Sequence, residues 1–412
     1  MKFQAKVPPG LIYIVQGGFY GFSTAMVFTF IAVYYVETAG FNPLQLVLIG
    51  TVLEIAVFVF EIPTGIVADL YSRRLSVIIG ICLIGITFVV EALVPIFVYI
   101  LAMQIIRGIG HTFVSGALEA WLADEVGEEN LAGILVRGSQ VSQVAGMAGI
   151  LVGMGLANVQ VNLPVFAGGV ILMVLAVGLA LLMPESGFCP APKEDRSSWQ
   201  QMQQILQAGI KIVQQRPVLL ILVSVSLFYG LSSEGVDRLW EVHMLKNFVF
   251  PDLGSLKPIT WFGLINLGAI GINVLALGIA RRGINMTDPW LAARALIWID
   301  AFVVIAILVL GLTGQFALAV SATWTQRMLR TIGGPISSTW INQGLDPRVR
   351  ATVLSMKGQV DALGQMIGGP LVGWIGTVWS TRAALATSAL LLAPVLLMYW
   401  LSMQYNGRQL RE

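Results

Sequence analysis

The chain has 412 residues and a formal net charge of +2, and 57% of its residues are apolar whereas 11% are charged. A soluble domain carries roughly 25% charged residues, so this composition and a mean hydropathy of +0.82 exclude an ordinary water-soluble domain. The near-zero net charge gives no support for binding to nucleic acid, and Cys82 and Cys189 fit neither a disulfide nor a metal-ligand pattern.

Long apolar runs follow one another along the whole chain. A helix needs about 20 such residues to cross roughly 30 Å of hydrocarbon, whereas the strands of a membrane barrel would alternate over about 10 residues. We therefore predict an all-α integral membrane protein with twelve transmembrane helices in two six-helix bundles. The predicted helices lie near residues 10–36, 45–69, 75–95, 96–124, 138–160, 162–183, 217–243, 259–280, 288–312, 315–341, 353–378 and 380–402.

The longest polar stretch separates the sixth predicted helix from the seventh. It contains a charged cluster at residues 193–196, and Ser198 follows in a position to cap a short amphipathic helix on the membrane face. The predicted domains are an N-terminal six-helix bundle at residues 1–184, a cytoplasmic linker at 185–216 and a C-terminal six-helix bundle at 217–412.

The distribution of Lys and Arg sets the orientation, because short loops rich in these residues stay in the cytoplasm. With the amino terminus inside, the outer loops hold Lys246, Lys257 and Arg382. The cytoplasmic segments then hold Lys2, Lys6, Arg73, Arg74, Arg137, Lys193, Arg196, Lys211, Arg216, Arg281, Arg282, Arg294, Arg348, Arg350, Lys357, Arg408 and Arg411. We predict a multi-pass protein of the cell membrane, which is the inner membrane of bacteria with two membranes, and both termini are expected in the cytoplasm.

An internal repeat relates the two halves. An offset of 219 aligns Trp121 with Trp340, and an offset of 209 aligns FYGFS at residues 19–23 with FYGLS at 228–232. The first offset also aligns Ala132 with Ala351, Leu135 with Leu354, Gln140 with Gln359, Val141 with Val360, Met147 with Met366 and Gly149 with Gly368. Both copies begin on the same side, so an axis along the membrane normal relates them, and we predict a substrate site between them near the midplane.

The segment at the end of the second predicted helix carries a recognisable motif. Residues 65–74 read GIVADLYSRR, which resembles the loop signature G-x-L-A-D-x-x-G-R-R/K of the major facilitator superfamily. Val67 stands for the usual Leu, and Ser72 departs from the usual Gly. The helix count, the central linker and the repeat extend this resemblance over the whole chain.

The resemblance implies a conformational latch at this loop. A carboxylate at a helix end followed by guanidinium groups can dock on a neighbouring helix end and release it when the halves move. The candidate latch residues are Gly65, Asp69, Arg73, Arg74 and, at the end of the fourth helix, Asp124. The alternative is that the arginines only anchor the loop on the cytoplasmic side.

Charged residues inside the first-half spans are candidates for proton coupling. Arg107 begins the sequence RGIGH at residues 107–111, which resembles the second motif of the same superfamily. Glu54 and Glu61 are two turns apart on one face of the second helix, so we expect them to be the partners of Arg107. A carboxylate inside a membrane span can carry a proton. We predict Glu61, then Glu54, as the coupling site, and a static ion pair is the alternative.

The predicted substrate cavity takes residues from both halves. Arg327 and Arg330 share a face at i, i+3, with Asp300 as the expected counter-ion. The predicted cavity residues are Arg107, Tyr20, Tyr229, Asp300, Arg327, Arg330 and Asp361, the last belonging to a polar stripe of Lys357, Asp361 and Gln365. The lone His111 has no second ligand nearby, so no metal site is predicted.

The resemblance implies a secondary transporter that works by alternating access. We predict proton-coupled export of a small amphipathic organic molecule, and the excess of intramembrane carboxylates favours a cationic or neutral one. Proton-coupled uptake, flipping of a lipid-like molecule and a non-transporting receptor of the same fold are the alternatives. No catalytic constellation indicates an enzyme. The expected partners are the solute, the proton and the lipid bilayer, with no nucleic acid and no cofactor, and the protein is expected to act as a monomer.

Overall fold

The computed structural model describes residues 7–189, 210–211, 213–214, 217–283, 289–343 and 347–409. Apart from one isolated bridge between Leu253 and Leu256, the regular structure of these residues is helical. The predicted amphipathic helix after Ser198 falls in residues 190–209, which lie outside the described ranges.

Seven helices build the first half of the chain. They are α1 (Pro9–Glu37), α2 (Pro43–Leu70), α3 (Arg73–Leu93), α4 (Phe97–Val114), α5 (Ala117–Val126), α6 (Glu128–Val159) and α7 (Leu163–Leu182). The predicted fourth helix is thus divided at Gly116, whose φ of 65° lies in the left-handed region that favours glycine. Together α4 and α5 still make one 30-residue apolar span, Phe97–Val126.

Seven further helices build the second half. They are α8 (Pro217–Asn247), α9 (Thr260–Gly283), α10 (Pro289–Leu312), α11 (Phe316–Asn342), α12 (Pro347–Val378), α13 (Thr381–Leu392) and α14 (Pro394–Gln409). Pro394 begins α14 directly after Ala393, and since proline has no N–H to donate, the last span is divided there.

The described helices confirm the predicted all-α membrane architecture. When α4 is counted with α5 and α13 with α14, they correspond to the twelve predicted spans. Nine spans among the described residues are long and apolar enough to cross a membrane. The helices α11 and α12 are less apolar than these, and they carry the charged residues of the site described below.

Two helices begin earlier than the hydropathy of the sequence predicts. The helix α6 begins at Glu128 rather than near residue 138, and α12 begins at Pro347 rather than near residue 353. Apolar runs mark only the part of a helix that crosses hydrocarbon. Glu128 and Glu129 in the first turn of α6 favour a helix beyond that part, since carboxylates interact well with the positive end of the helix dipole.

Packing divides the chain into two compact units. The first comprises Met1–Phe41, Val52–Arg196 and Pro251–Asn266, and the second comprises Asn42–Thr51, Ser197–Phe250 and Leu267–Glu412. Each unit therefore contains a short segment from the other half of the sequence, whereas the predicted domains are contiguous. In the second unit, the Leu44 N–H donates to Thr377 Oγ1 at 2.9 Å. In the first, Asn158 Nδ2 donates to Thr260 Oγ1 at 2.8 Å.

The internal repeat is visible as the same close contact in both units. Gly21 on α1 lies against Ser142 on α6, and Gly230 on α8 lies against Asp361 on α12. These two pairs are related by the offsets of 209 and 219 found in the sequence. A second set of equivalent contacts places Gly149 on Phe22 and Gly368 on Leu231. Because a Cβ at any of these glycines would collide with backbone atoms, the repeat preserves close approach of one helix pair in each unit.

Candidate functional site

The second unit contains a cavity of about 390 Å³. Side chains from α8, α10, α11, α12 and α14 line it, and its polar lining consists of Ser226, Tyr229, Arg330, Ser337, Lys357, Asp361 and Tyr399. We call this the polar cavity. Tyr229 lies about 18 Å along α8 and Arg330 about 21 Å along α11 at 1.5 Å per residue, so the cavity is at mid-span.

A buried carboxylate lies directly behind the cavity wall. Asp300 on α10 is fully buried and accepts a hydrogen bond from the Tyr229 hydroxyl. The buried Tyr399 also lies close to this carboxylate. Its Oδ2 atom has no partner, and no Lys or Arg of the described residues lies within 4.0 Å of its carboxylate. Asp300 is therefore held by the Tyr229 hydroxyl and not by an ion pair.

The two arginines of α11 take different partners. Arg330 lines the cavity and makes two bonds to Asp237 of α8, with N···O distances of 2.9 and 3.4 Å. The guanidinium of Arg327 lies over the Trp240 ring, 4.5 Å from its centre. The expectation that Asp300 is the counter-ion of these arginines is therefore wrong, because Asp237 takes that place for Arg330. Nor does Arg327 line the polar cavity.

The polar stripe of α12 supplies two further charges. Lys357 lies about 15 Å from the start of α12, and it lines the cavity. Its ammonium has no hydrogen bond and no ion pair within 4.0 Å among the described residues. One turn further along, Asp361 accepts a hydrogen bond from Gln365 Nε2 at 2.8 Å.

The first unit has its own buried ionic cluster. Arg107 on α4 forms an ion pair with Glu91 on α3, and both side chains are almost fully buried. Glu91 also accepts hydrogen bonds from Tyr35 at 2.5 Å and from Gln104 at 2.8 Å. The Arg107 guanidinium lies over the Phe88 ring at 4.2 Å. Additional hydrogen bonds thus support the pair, since Glu91 accepts from Tyr35 and Gln104 and Arg107 Nε donates to Thr87 Oγ1 at 3.3 Å.

The partner of Arg107 corrects the sequence prediction. Arg107 pairs with Glu91 and not with Glu54 or Glu61 of α2, of which Glu61 is exposed and Glu54 half-buried. Helical side chains point toward the N-terminus of their helix. The N-terminus of α4 is the end that faces Glu91 across the short α3–α4 connection. The direction of the Arg107 side chain along α4 therefore indicates Glu91 as its partner.

The predicted latch residues meet in the first unit. Arg73 Nη1 lies 2.5 Å from Asp124 and 3.2 Å from the Ala120 carbonyl oxygen, and Arg73 Nη2 lies 3.3 Å from Asp69. The α2–α3 loop is thereby tied to α5. Gly65 remains a prediction, and a Cβ there would meet no atom within 4 Å.

Glu185 is a latch contact that the sequence analysis missed. It follows α7 and accepts hydrogen bonds from the Ser72 hydroxyl at 2.7 Å and from the Arg74 N–H at 3.0 Å. Ser72 in turn caps α3 by accepting from the Leu75 N–H at 2.9 Å. The serine that departs from the motif is thus both a helix cap and a donor to Glu185. Arg74 reaches the Ala180 carbonyl at 2.5 Å.

The predicted cavity residues fall into both units. Tyr229, Arg330 and Asp361 line the polar cavity, with Asp300 bonded to Tyr229 behind it. Arg107 and the half-buried Tyr20 belong to the first unit. Tyr399 and Ser226 are cavity residues that the sequence analysis did not find. Both lie in largely apolar helices, and the sequence alone does not show that their side chains face the cavity.

A comparison with known families decides the class of protein. The family model described as Major Facilitator Superfamily matches residues 14–356. The chain belongs to this superfamily. It is therefore a multi-pass membrane transporter and not an enzyme. The chain is also 23% identical over 390 residues to an uncharacterized MFS-type transporter, YxaM, of Bacillus subtilis (strain 168). The alignment covers 92% of this chain and 94% of YxaM.

Solved structures of other superfamily members share the fold. The nucleoside transporter NupG has a TM-score of 0.76 at 13% identity and covers 97% of this chain and 99% of its own. A bacterial homolog of the human lysosomal transporter Spinster has a TM-score of 0.76 at 13% identity, with 96% of both chains covered. A peptide transporter POT in complex with sulfate has a TM-score of 0.73 at 15% identity. The match covers 99% of this chain and 96% of the peptide transporter. At these identities the likeness concerns the fold alone.

Proposed function

We propose that this superfamily member is a secondary transporter that moves a small polar organic solute by alternating access and couples its movement to protons. We further propose that it lies in the cell membrane with both termini in the cytoplasm, following the bias of Lys and Arg. The polar cavity is the solute site in this proposal. Its lining of hydroxyl groups and charges favours a polar solute over the amphipathic one expected from the sequence.

The observation that carries proton coupling is the environment of Asp300. Its carboxylate is fully buried, accepts a hydrogen bond from the Tyr229 hydroxyl and has no ion pair within 4.0 Å in the described part of the chain, although the charge of Arg330 acts on it from farther away. A carboxylate inside a span without a direct ion pair is costly to keep ionised, which makes it a candidate proton carrier. Tyr229 both lines the cavity and bonds to Asp300. A proton on Asp300 and a solute in the cavity would therefore influence each other through one side chain.

Glu61 is the second candidate for the coupling site, and Glu54 the third. Glu61 lies within α2, is exposed and has no side-chain partner among the described residues. An unpaired carboxylate in a span is a functional candidate in its own right. We rank Asp300 first because its contact with the Tyr229 hydroxyl connects it to the polar cavity.

We assign the latch contacts to the cytoplasmic side of the alternating cycle. Arg73, Asp124 and Glu185 connect the α2–α3 loop with α5 and the segment after α7, all within the first unit. Contacts of this kind, on partly exposed charges, are weak enough to form and break during a conformational change.

The test of the proposal is transport by the purified protein in proteoliposomes. Labelled small polar solutes are offered with an imposed pH gradient, and the internal solute and pH are recorded together. Solute movement that follows the gradient, with matching proton movement, is the expected result. Entry with protons identifies symport, and movement against them identifies antiport. A broad panel with no response to the gradient would contradict the proposal and favour the non-transporting receptor.

A further inference from the structure

The polar cavity contains two charges that the protein itself leaves open. Arg330 is neutralised by its two bonds to Asp237, and Asp300 accepts a hydrogen bond from the Tyr229 hydroxyl. The open charges are Lys357 and Asp361. Both lie on α12, four residues apart and therefore on one face of the helix.

Lys357 is the less satisfied of the two. It lines the cavity and makes no hydrogen bond or ion pair with any other described residue. A lysine that lines a cavity between transmembrane helices is costly unless an anion or water compensates its charge. Because the cavity offers no anion within ion-pair distance, an anionic group of a bound solute would have a ready partner here.

Asp361 offers the opposite charge one turn away. Of its two carboxylate oxygens, Oδ2 accepts a hydrogen bond from the Gln365 amide at 2.8 Å. It has no ion pair within 4.0 Å in the described part of the chain, and it too lines the cavity. Side chains spaced i, i+4 are about 5–6 Å apart at Cβ. Lys357 and Asp361 are therefore neighbours that do not neutralise each other by direct contact.

From this arrangement we infer that the transported solute is a zwitterion of the α-amino acid or short-peptide class, with its carboxylate on Lys357 and its ammonium on Asp361. The inference rests on the proposed transport function and adds the substrate class. A solute with one charge would leave either Lys357 or Asp361 uncompensated. A zwitterion satisfies both.

The size of the site agrees with this class. A cavity of about 390 Å³ is at the small end of ligand sites, which suits an amino acid or dipeptide. Glycines line part of the wall, and a Cβ added at Gly334 or Gly358 would meet no atom within 4 Å. Side chains of different size could extend toward them. The hydroxyls of Tyr229 and Ser226 supply neutral hydrogen-bonding groups in the lining.

Ligand binding to the full-length purified protein in detergent tests the inference. The probes are the twenty standard amino acids and Ala-Ala, with singly charged analogues of each responding probe. For leucine these are 3-methylbutylamine and 4-methylpentanoate, and for Ala-Ala they are its amide and its N-acetyl derivative. We expect at least one zwitterion to raise the melting temperature in a saturable way, and its singly charged analogues to bind at least tenfold more weakly.

Variants then assign the two charges. Lys357→Gln is expected to weaken the zwitterion by at least tenfold and to favour the amine analogue, and Asp361→Asn is expected to favour the carboxylate analogue. The exchanged variant Lys357→Asp/Asp361→Lys should recover part of the zwitterion affinity, which a mere loss of folding would not produce. Lys246→Gln, on an exposed lysine near the end of α8, is the matched control.

Two results would overturn the inference. One is a panel in which no zwitterion shifts the melting temperature. The other is binding of zwitterions that both single variants leave unchanged. Binding in detergent involves no gradient, so such a failure would leave the proposal of proton-coupled transport of another solute intact. Zwitterion binding without gradient-driven transport would instead refute only the proposed proton coupling.

Discussion

Tyr229 donates a hydrogen bond to Asp300, and this contact joins the polar cavity to a carboxylate that is completely buried. The tyrosine lines the cavity with the same side chain that reaches the aspartate. A solute that contacts Tyr229 can therefore alter the surroundings of Asp300 without touching it.

The hydrogen bond should contribute to stability. Tyr229→Phe leaves the buried carboxylate with one donor fewer, which costs about 1–3 kcal/mol when the partner is charged or unsatisfied. We expect a lower unfolding temperature in detergent than for the wild type. The matched control is Tyr99→Phe, since Tyr99 is 57% exposed and has no side-chain hydrogen bond in the described part of the chain. Equal stability of the two variants would contradict this account of Asp300.

The buried pair of Arg107 and Glu91 should behave as a unit. Removing one partner, in Glu91→Gln or Arg107→Gln, leaves a buried charge without its counter-ion and should destabilise by about 3–5 kcal/mol. The double variant should lose less than the sum of the two single losses. Chemical or thermal unfolding of the four proteins in detergent measures the cycle. Strict additivity would show that the two side chains do not interact as this structure has them.

The two acidic residues around Arg73 should differ in importance. Asp124 lies at 2.5 Å with 25% of its side chain exposed, whereas Asp69 lies at 3.3 Å with 56% exposed. An exposed pair contributes at most about 1 kcal/mol. We therefore expect Asp124→Asn to alter the transport rate and Asp69→Asn to alter it less. Initial rates in proteoliposomes test this order, and a larger effect of Asp69→Asn would reverse the assignment of the latch.

The glycine contacts of the repeat should tolerate no side chain. A Cβ at Gly21 or Gly230 would collide with backbone atoms of α6 or α12, so Gly21→Ala and Gly230→Ala should destabilise by about 1–3 kcal/mol or more. Gly155→Ala on α6 and Gly271→Ala on α9 are the controls, because nothing lies within 4 Å of a Cβ there. Alanine suits a helix better than glycine, so the controls should be neutral or slightly stabilising. Equal yields and melting temperatures for all four would refute the close approach.

The sequence predicts the spans well because hydrocarbon thickness dictates the length of apolar runs. It also predicts the contact of Arg73 with Asp124, since the two successive spans between them return the chain to the side of the membrane from which it started. The breaks at Gly116 and Pro394 are less evident, because a kinked span and a straight one have the same hydropathy.

The pairing of charges inside the spans could not be predicted in the same way. Spacing along one helix places Glu54 and Glu61 on a common face, but it does not show which neighbouring helix supplies the partner of Arg107. Glu91 was missed because it lies near the end of an apolar run. The sequence pairs Asp300 with arginines because their opposite charges can be read from residue types. A hydroxyl partner such as Tyr229 is uncharged and gives no such pattern.

Asp300→Asn tests most directly whether protons drive transport through Asp300. The variant is reconstituted beside wild type and beside Asp252→Asn, which changes an exposed loop aspartate. Accumulation driven by a pH gradient is compared with exchange of solute at equal pH. We predict that Asp300→Asn loses gradient-driven accumulation and retains exchange, while the control resembles wild type. Accumulation by Asp300→Asn at the wild-type level would contradict the claim and return the coupling site to Glu61.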